Sequence, residues 1–118
     1  MKLTEFYKAA GGSLDEVLTR IPNEKLIIKY LMKFPSEPAS ELLKDAFKAQ
    51  KREEAFRAAH TLKGLCATLG LARLTDAASR LTEALRLDKA DFASLSPLYS
   101  FFTREYDCVT ENLRYLDI

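Results

Sequence analysis

Apolar residues recur at three- and four-residue spacing along almost the whole chain, and no useful run of strict alternation interrupts them. The pattern predicts an all-α protein. A short first helix over about residues 2–9 ends at Gly11 and Gly12, and "SLDE" then sets Ser13 three residues before Glu16 as a capping box for a second short helix stopping at Pro22. Asn23 is placed as the N-cap of "EKLIIKYLMKF", whose Leu26, Ile27, Tyr30, Leu31 and Phe34 share one face. Pro35 and Pro38 bracket "PSEP", where the helix must either kink or restart, and Leu42, Leu43, Ala46 and Phe47 carry the apolar face onward to "AQKR".

The second half is more regular. A helix over roughly 52–69 is followed by Gly70 as a C-terminal cap, and Leu71, Leu74, Ala78, Leu81 and Leu85 make an almost unbroken seven-residue repeat ending near "RLDKAD". A last helix from about Asp91 to Leu116 carries Phe92, Leu95, Tyr99, Phe102, Tyr106, Val109 and Leu113 at similar spacing, with Pro97 tolerable near its first turns. Four long segments joined by short connections predict an up-down-up-down four-helix bundle with the short N-terminal helices packed across one end.

Composition narrows the function classes. At 118 residues the chain accommodates one core, and 47% hydrophobic with 30% charged residues is ordinary for a globular domain. Eighteen Lys and Arg offset seventeen Asp and Glu to a formal charge of +1, which provides no electrostatic footprint for nucleic acid or an anionic membrane. No apolar run approaches the roughly 20 residues of a membrane helix, and no secretory signal opens the chain, so a cytoplasmic location is expected. Cys66 and Cys108 lie in helical segments without CxxC or metal-like spacing, which argues against a disulfide framework or a zinc site.

The single histidine, His60, lies in "AAHTLKGLCATLG". At about 100° per residue, Ala55, Ala58, Ala59, Leu62, Leu65, Cys66 and Leu69 form a core stripe centred on Leu62, and His60 falls about 160° from that centre. A lone histidine is most often a core residue or an idle surface one, but this stripe is complete without it. The residues nearest His60 on the wheel are Phe56, Gly64 and Ala67, none of them polar, whereas an exposed helix face usually carries charges throughout. Glycine inside a helix costs about 0.5–1 kcal/mol relative to alanine, so Gly64 suggests a close approach. Arg57 and Lys63 flank His60 at three residues before and after, and an imidazole between two cations beside cleared space suits a transient anion.

The run "HTLKGLCATLG", continued by "LARLTDAASRLTEALR", resembles the histidine-containing phosphotransfer (HPt) domains of phosphorelays: a histidine, any residue, an aliphatic residue, lysine, glycine, and a second glycine six positions later. Here these are His60, Leu62, Lys63, Gly64 and Gly70. The resemblance covers the two central helices closely and the remainder in helix order and length, as one HPt-like helical domain over residues 1–118. It implies a monomeric carrier that takes a phosphoryl group from an aspartate on a receiver domain or hybrid sensor kinase and passes it to another receiver. By that resemblance His60 is the phospho-acceptor, Lys63 stabilises the phosphoryl charge, Gly64 gives clearance, and Arg86 matches a basic position near the acceptor. Phe56, Gly64 and Ala67 would dock the partner, with Arg57 at the rim, although Phe56 reads equally well as an aromatic at the edge of the core. Where some members carry a ring-orienting glutamine, this chain has Thr82, which either orients the ring through its hydroxyl or a water, or leaves it freer.

The same resemblance implies no cofactor or metal of the chain's own, with magnesium supplied by the receiver's acidic pocket. The chain itself is expected not to be an enzyme, since it carries no nucleotide-binding segment. Two rivals use the same face. An enzyme with His60 as general base requires a concave pocket and a second catalytic group. A helical adaptor that binds a signalling partner without phosphorylation requires only the apolar patch. A module cut from a larger kinase would share the carrier chemistry, and a free-standing protein is the simpler expectation.

Overall fold

The computed structural model describes residues 1–86 and 91–118. Seven α-helices appear among them: α1 (Leu3–Ala10), α2 (Leu14–Arg20), α3 (Glu24–Lys33), α4 (Pro38–Lys48), α5 (Arg52–Thr68), α6 (Ala72–Arg86) and α7 (Phe92–Leu113). The "RLDKAD" connection falls partly on residues 87–90, outside the described residues.

Local chemistry accounts for the helix ends. Gly11 and Gly70 both adopt left-handed φ, at 71° and 67°, the conformation that lets the last turn close on its own carbonyls. Asn23 caps α3 by accepting from the Leu26 N–H at 3.2 Å. Ser13 accepts from the Glu16 N–H at 3.2 Å, but its own N–H donates to the Gly70 carbonyl at 3.1 Å, so the expected capping box is only half made. Glu16 is left to pair with Arg20 at 3.5 Å. At the prolines the helix restarts: a 3₁₀ turn over Phe34–Ser36 takes up the break, and Pro38 begins α4 where its missing N–H costs nothing.

The helices α4 to α7 pack in chain order, α4 on α5, α5 on α6 and α6 on α7. Phe47, stacked on Tyr99 with ring centroids 4.1 Å apart, joins α4 back to α7. Their shared core includes Leu43, Ala55, Leu62, Cys66, Leu74, Leu81, Leu95 and Val109, and small alanines at Ala58, Ala59, Ala77 and Ala78 let the helices approach closely. Two expected members of the apolar faces are exposed instead. Tyr30 is 41% and Leu42 59% exposed, because the buried stripes centre on Ile27 and Leu31 in α3 and on Ala39, Leu43 and Ala46 in α4, leaving both at the stripe edges.

The N-terminal helices close the end where α5 turns into α6. A helix C-terminus presents carbonyls without intrahelical partners, and here they are met from α1 and α2. The Tyr7 hydroxyl donates to the Leu69 carbonyl at 2.7 Å, and Arg20 donates to those of Ala67 and Thr68 at 2.8 and 3.2 Å. The turn leaves no room for a side chain at Gly70: a Cβ there would strike Val17 and the Ser13 carbonyl. The position and direction of α5, and so of His60, are thereby tied down from outside the bundle.

Candidate functional site on the outer face of α5

His60 is exposed midway along α5, while Ala58, Ala59 and Leu62 around it are buried. The burial of those three residues turns the histidine outward. Gly64 and Ala67, one and two turns on, are exposed along the same line. A Cβ at Gly64 would meet no atom within 4 Å, so nothing in the protein's own packing requires glycine there. Arg57 is exposed and Lys63 half-buried, and among the described residues neither forms an ion pair with a carboxylate.

Phe56, one turn before His60, has its ring parallel to the imidazole, with centroids 6.0 Å apart and planes inclined by 8°. The Arg86 guanidinium, from the end of α6, lies over the Phe56 ring at 4.9 Å from its centroid and donates to Glu83 at 3.3 Å. The resemblance matches Arg86 to a basic position near the acceptor, and the sequence leaves Phe56 open between a partner contact and a core-edge aromatic; the structure sets Arg86 on Phe56, and Phe56 beside the histidine. The signal was present in the four-residue spacing of Phe56 and His60, which stacks side chains on one helix face. The Arg86 contact bridges two helices, and no spacing rule predicts it.

Thr82 is fully buried on α6. Its hydroxyl donates to the Ala78 carbonyl one turn back at 2.6 Å, which spends its only proton inside its own helix. Of the two roles the resemblance leaves open for Thr82, orienting the ring or leaving it freer, neither is decided by this hydrogen bond within α6.

A groove of about 510 Å³ beside the site runs between α4 and α5 and is lined by Leu42, Ala46, Ala58, Arg57 and Thr61 among others; His60 is not in its wall. No group of three or more His, Cys, Asp or Glu side chains able to hold a metal ion occurs among the described residues, and the donors flanking His60 are cations, which do not fit a divalent ion. Burial pushes the Cys66 thiol up to about 12, so at neutral pH it is an inert core group.

The outer face of α5 thus presents an exposed histidine, a lysine three residues on that makes no ion pair among the described residues, and open space at the next turn. The Hpt domain family model matches residues 36–107, more than half of the chain and most of the α4–α7 bundle, and the protein belongs to that family. No curated protein and no solved structure gives a significant match. Family membership places the chain in phosphotransfer within two-component signalling, as a carrier rather than an enzyme with its own nucleotide site, with receiver domains and kinases as the family's partners. Among the described residues no helix is long and apolar enough to cross a membrane.

Proposed function

We propose that His60 carries a phosphoryl group between aspartate-bearing receiver domains of a phosphorelay. The supporting observation is the conjunction at one exposed point of α5: the protein's single histidine, a Lys63 that makes no ion pair among the described residues, and a Gly64 whose missing side chain answers no internal need.

The chemistry follows from the residue types. A neutral imidazole has one nitrogen with a free lone pair, which attacks the phosphorus of a receiver aspartyl phosphate. The N–P bond forms, the acyl-phosphate P–O bond breaks, and the carboxylate leaves with that bond's electron pair. The reverse reaction with a second receiver returns the imidazole. Because the transition state is loose and spreads charge over the transferring oxygens, positioning and positive charge carry most of the catalysis. Lys63 supplies a mobile charge at the phosphoryl oxygens, and Arg57 supplies charge at the contact rim. Magnesium, where the transfer uses it, comes with the receiver's carboxylates.

Docking pairs the Phe56, Gly64 and Ala67 line with an apolar patch on the receiver. The protein acts in this reading as a monomer in the cytoplasm.

The decisive experiment is transfer of label from a ³²P-phosphorylated receiver domain to the wild-type protein and to His60→Gln, across several receivers. Acid-labile, alkali-stable label on the wild type alone is expected. Receivers that bind both proteins equally and label neither would replace the carrier with the non-phosphorylated adaptor.

A further inference from the structure

We propose that Phe56 is the positioning residue for the His60 imidazole, holding the ring plane by π-contact while Arg86 holds Phe56; the proposal rests on the reading of His60 as phospho-acceptor. Helix geometry brings the two rings together. Cα–Cβ bonds tilt toward the helix N-terminus, so His60 leans back over the turn that carries Phe56. The rings lie at 8° to one another with centroids 6.0 Å apart, an offset parallel pair.

Phe56 is itself restrained. It is half-buried against the core and shares a small surface cleft with Leu85 and Arg86, whose guanidinium lies 4.9 Å from the ring centroid. Arg86 is in turn tethered to Glu83 at 3.3 Å. The chain of contacts runs from α6 through Phe56 to the imidazole.

No hydrogen bond from a described residue reaches the ring, and the hydroxyl best placed by sequence to provide one, that of Thr82, donates to Ala78 instead. A hydrogen-bonding residue would orient an imidazole by engaging one nitrogen and fixing the tautomer. A π-face fixes the plane and leaves both nitrogens free. For a residue that must take up and give back a phosphoryl group on one nitrogen while exchanging protons on the other, that freedom suits traffic in both directions. Phe56 then acts on the histidine itself, beyond any contact it makes with a partner.

The test compares wild type, Phe56→Leu and Phe56→Tyr, with thermal melts run alongside and Phe56→Met in reserve should the leucine variant melt early. Three-bond couplings of His60 are expected to report one χ1 rotamer in wild type and Phe56→Tyr and averaging in Phe56→Leu. Identical couplings in all three overturn the proposal. Reactivity is read with phosphoramidate, a small donor that needs no docking: the imidazole nitrogen bonds to phosphorus, the donor's P–N bond breaks, and ammonia leaves with the proton. Phe56→Leu should be labelled about tenfold more slowly and Phe56→Tyr at the wild-type rate. Weaker receiver binding with an unchanged phosphoramidate rate would make Phe56 a docking residue only and overturn the proposal. Wild type that takes label from neither phosphoramidate nor any receiver removes the phospho-acceptor reading, and the couplings still decide whether Phe56 holds the ring.

Discussion

Gly64 separates two demands that usually coincide in a helix. Alanine there would meet no atom within 4 Å and would relieve the backbone-entropy cost of an interior glycine, so Gly64→Ala should stabilise the protein by about 0.5–1 kcal/mol. A thermal melt should show the midpoint rising by roughly 2–4 °C. A long side chain at the same place projects into the space a receiver must occupy. Gly64→Gln should therefore keep the wild-type fold while slowing receiver-dependent labelling at least tenfold, read as the initial rate from a phosphorylated receiver against a circular-dichroism melt. Unimpaired transfer in Gly64→Gln would end the clearance argument. Sequence alone reached the glycine's anomaly, since an interior glycine flanked by good helix formers needs a reason, but only coordinates show that the reason is not internal packing. Thr82 is the opposite case: its type leaves open whether it orients the histidine or leaves it freer, and the structure shows its buried hydroxyl donating to its own helix backbone.

At the scale of elements, the α5–α6 turn is where the fold is most tightly specified. Gly70 combines a φ of 67° with van der Waals contact against Val17 and Ser13, so Gly70→Ala meets both a left-handed backbone penalty and a collision with α2. The loss should exceed about 2 kcal/mol and appear as a fall of several degrees in the melting midpoint. A variant melting like wild type would mean that α2 can move away without cost. Helix boundaries here were legible because their signals are local: the glycines, the Asn23 and Ser13 caps and Pro38 all act within a turn of themselves. Which edge of a stripe is buried is not local. Tyr30 and Leu42 read as core by spacing and lie exposed, since the neighbours that set the buried face come from elsewhere in the chain. The half-made capping box has the same origin, because the Ser13 N–H goes to the Gly70 carbonyl, a partner far along the sequence.

On the whole-molecule scale, the bundle core and its junction with the N-terminal helices each hold a buried acid that stays protonated at neutral pH. Cys66 sits in the core of α5, where desolvation raises its thiol to about 12, and Tyr7 is raised further by the same cause, opposed weakly by Arg20. Both groups ionise more readily in the unfolded chain, at about 8.5 for a thiol and about 10 for a phenol. Above those values the unfolded state binds fewer protons than the folded one, so stability falls as pH rises. The contribution is fully present below pH about 8.5 and is lost progressively above it, first through Cys66 and then through Tyr7. Urea midpoints should hold steady across neutral pH and decline from about pH 9 upward. Tyr7→Phe separates the two groups: it forfeits the hydrogen bond to the Leu69 carbonyl, costing about 1 kcal/mol at pH 7, yet should lose less than wild type between pH 10 and 11 because one of the two buried acids is gone. Parallel pH profiles for the two proteins would mean that the phenol ionises in the folded state without penalty. The lid that α1 and α2 form over the end of α5 would then be open enough to admit water, and the anchoring of the His60 helix from outside the bundle would be looser than its hydrogen bonds imply.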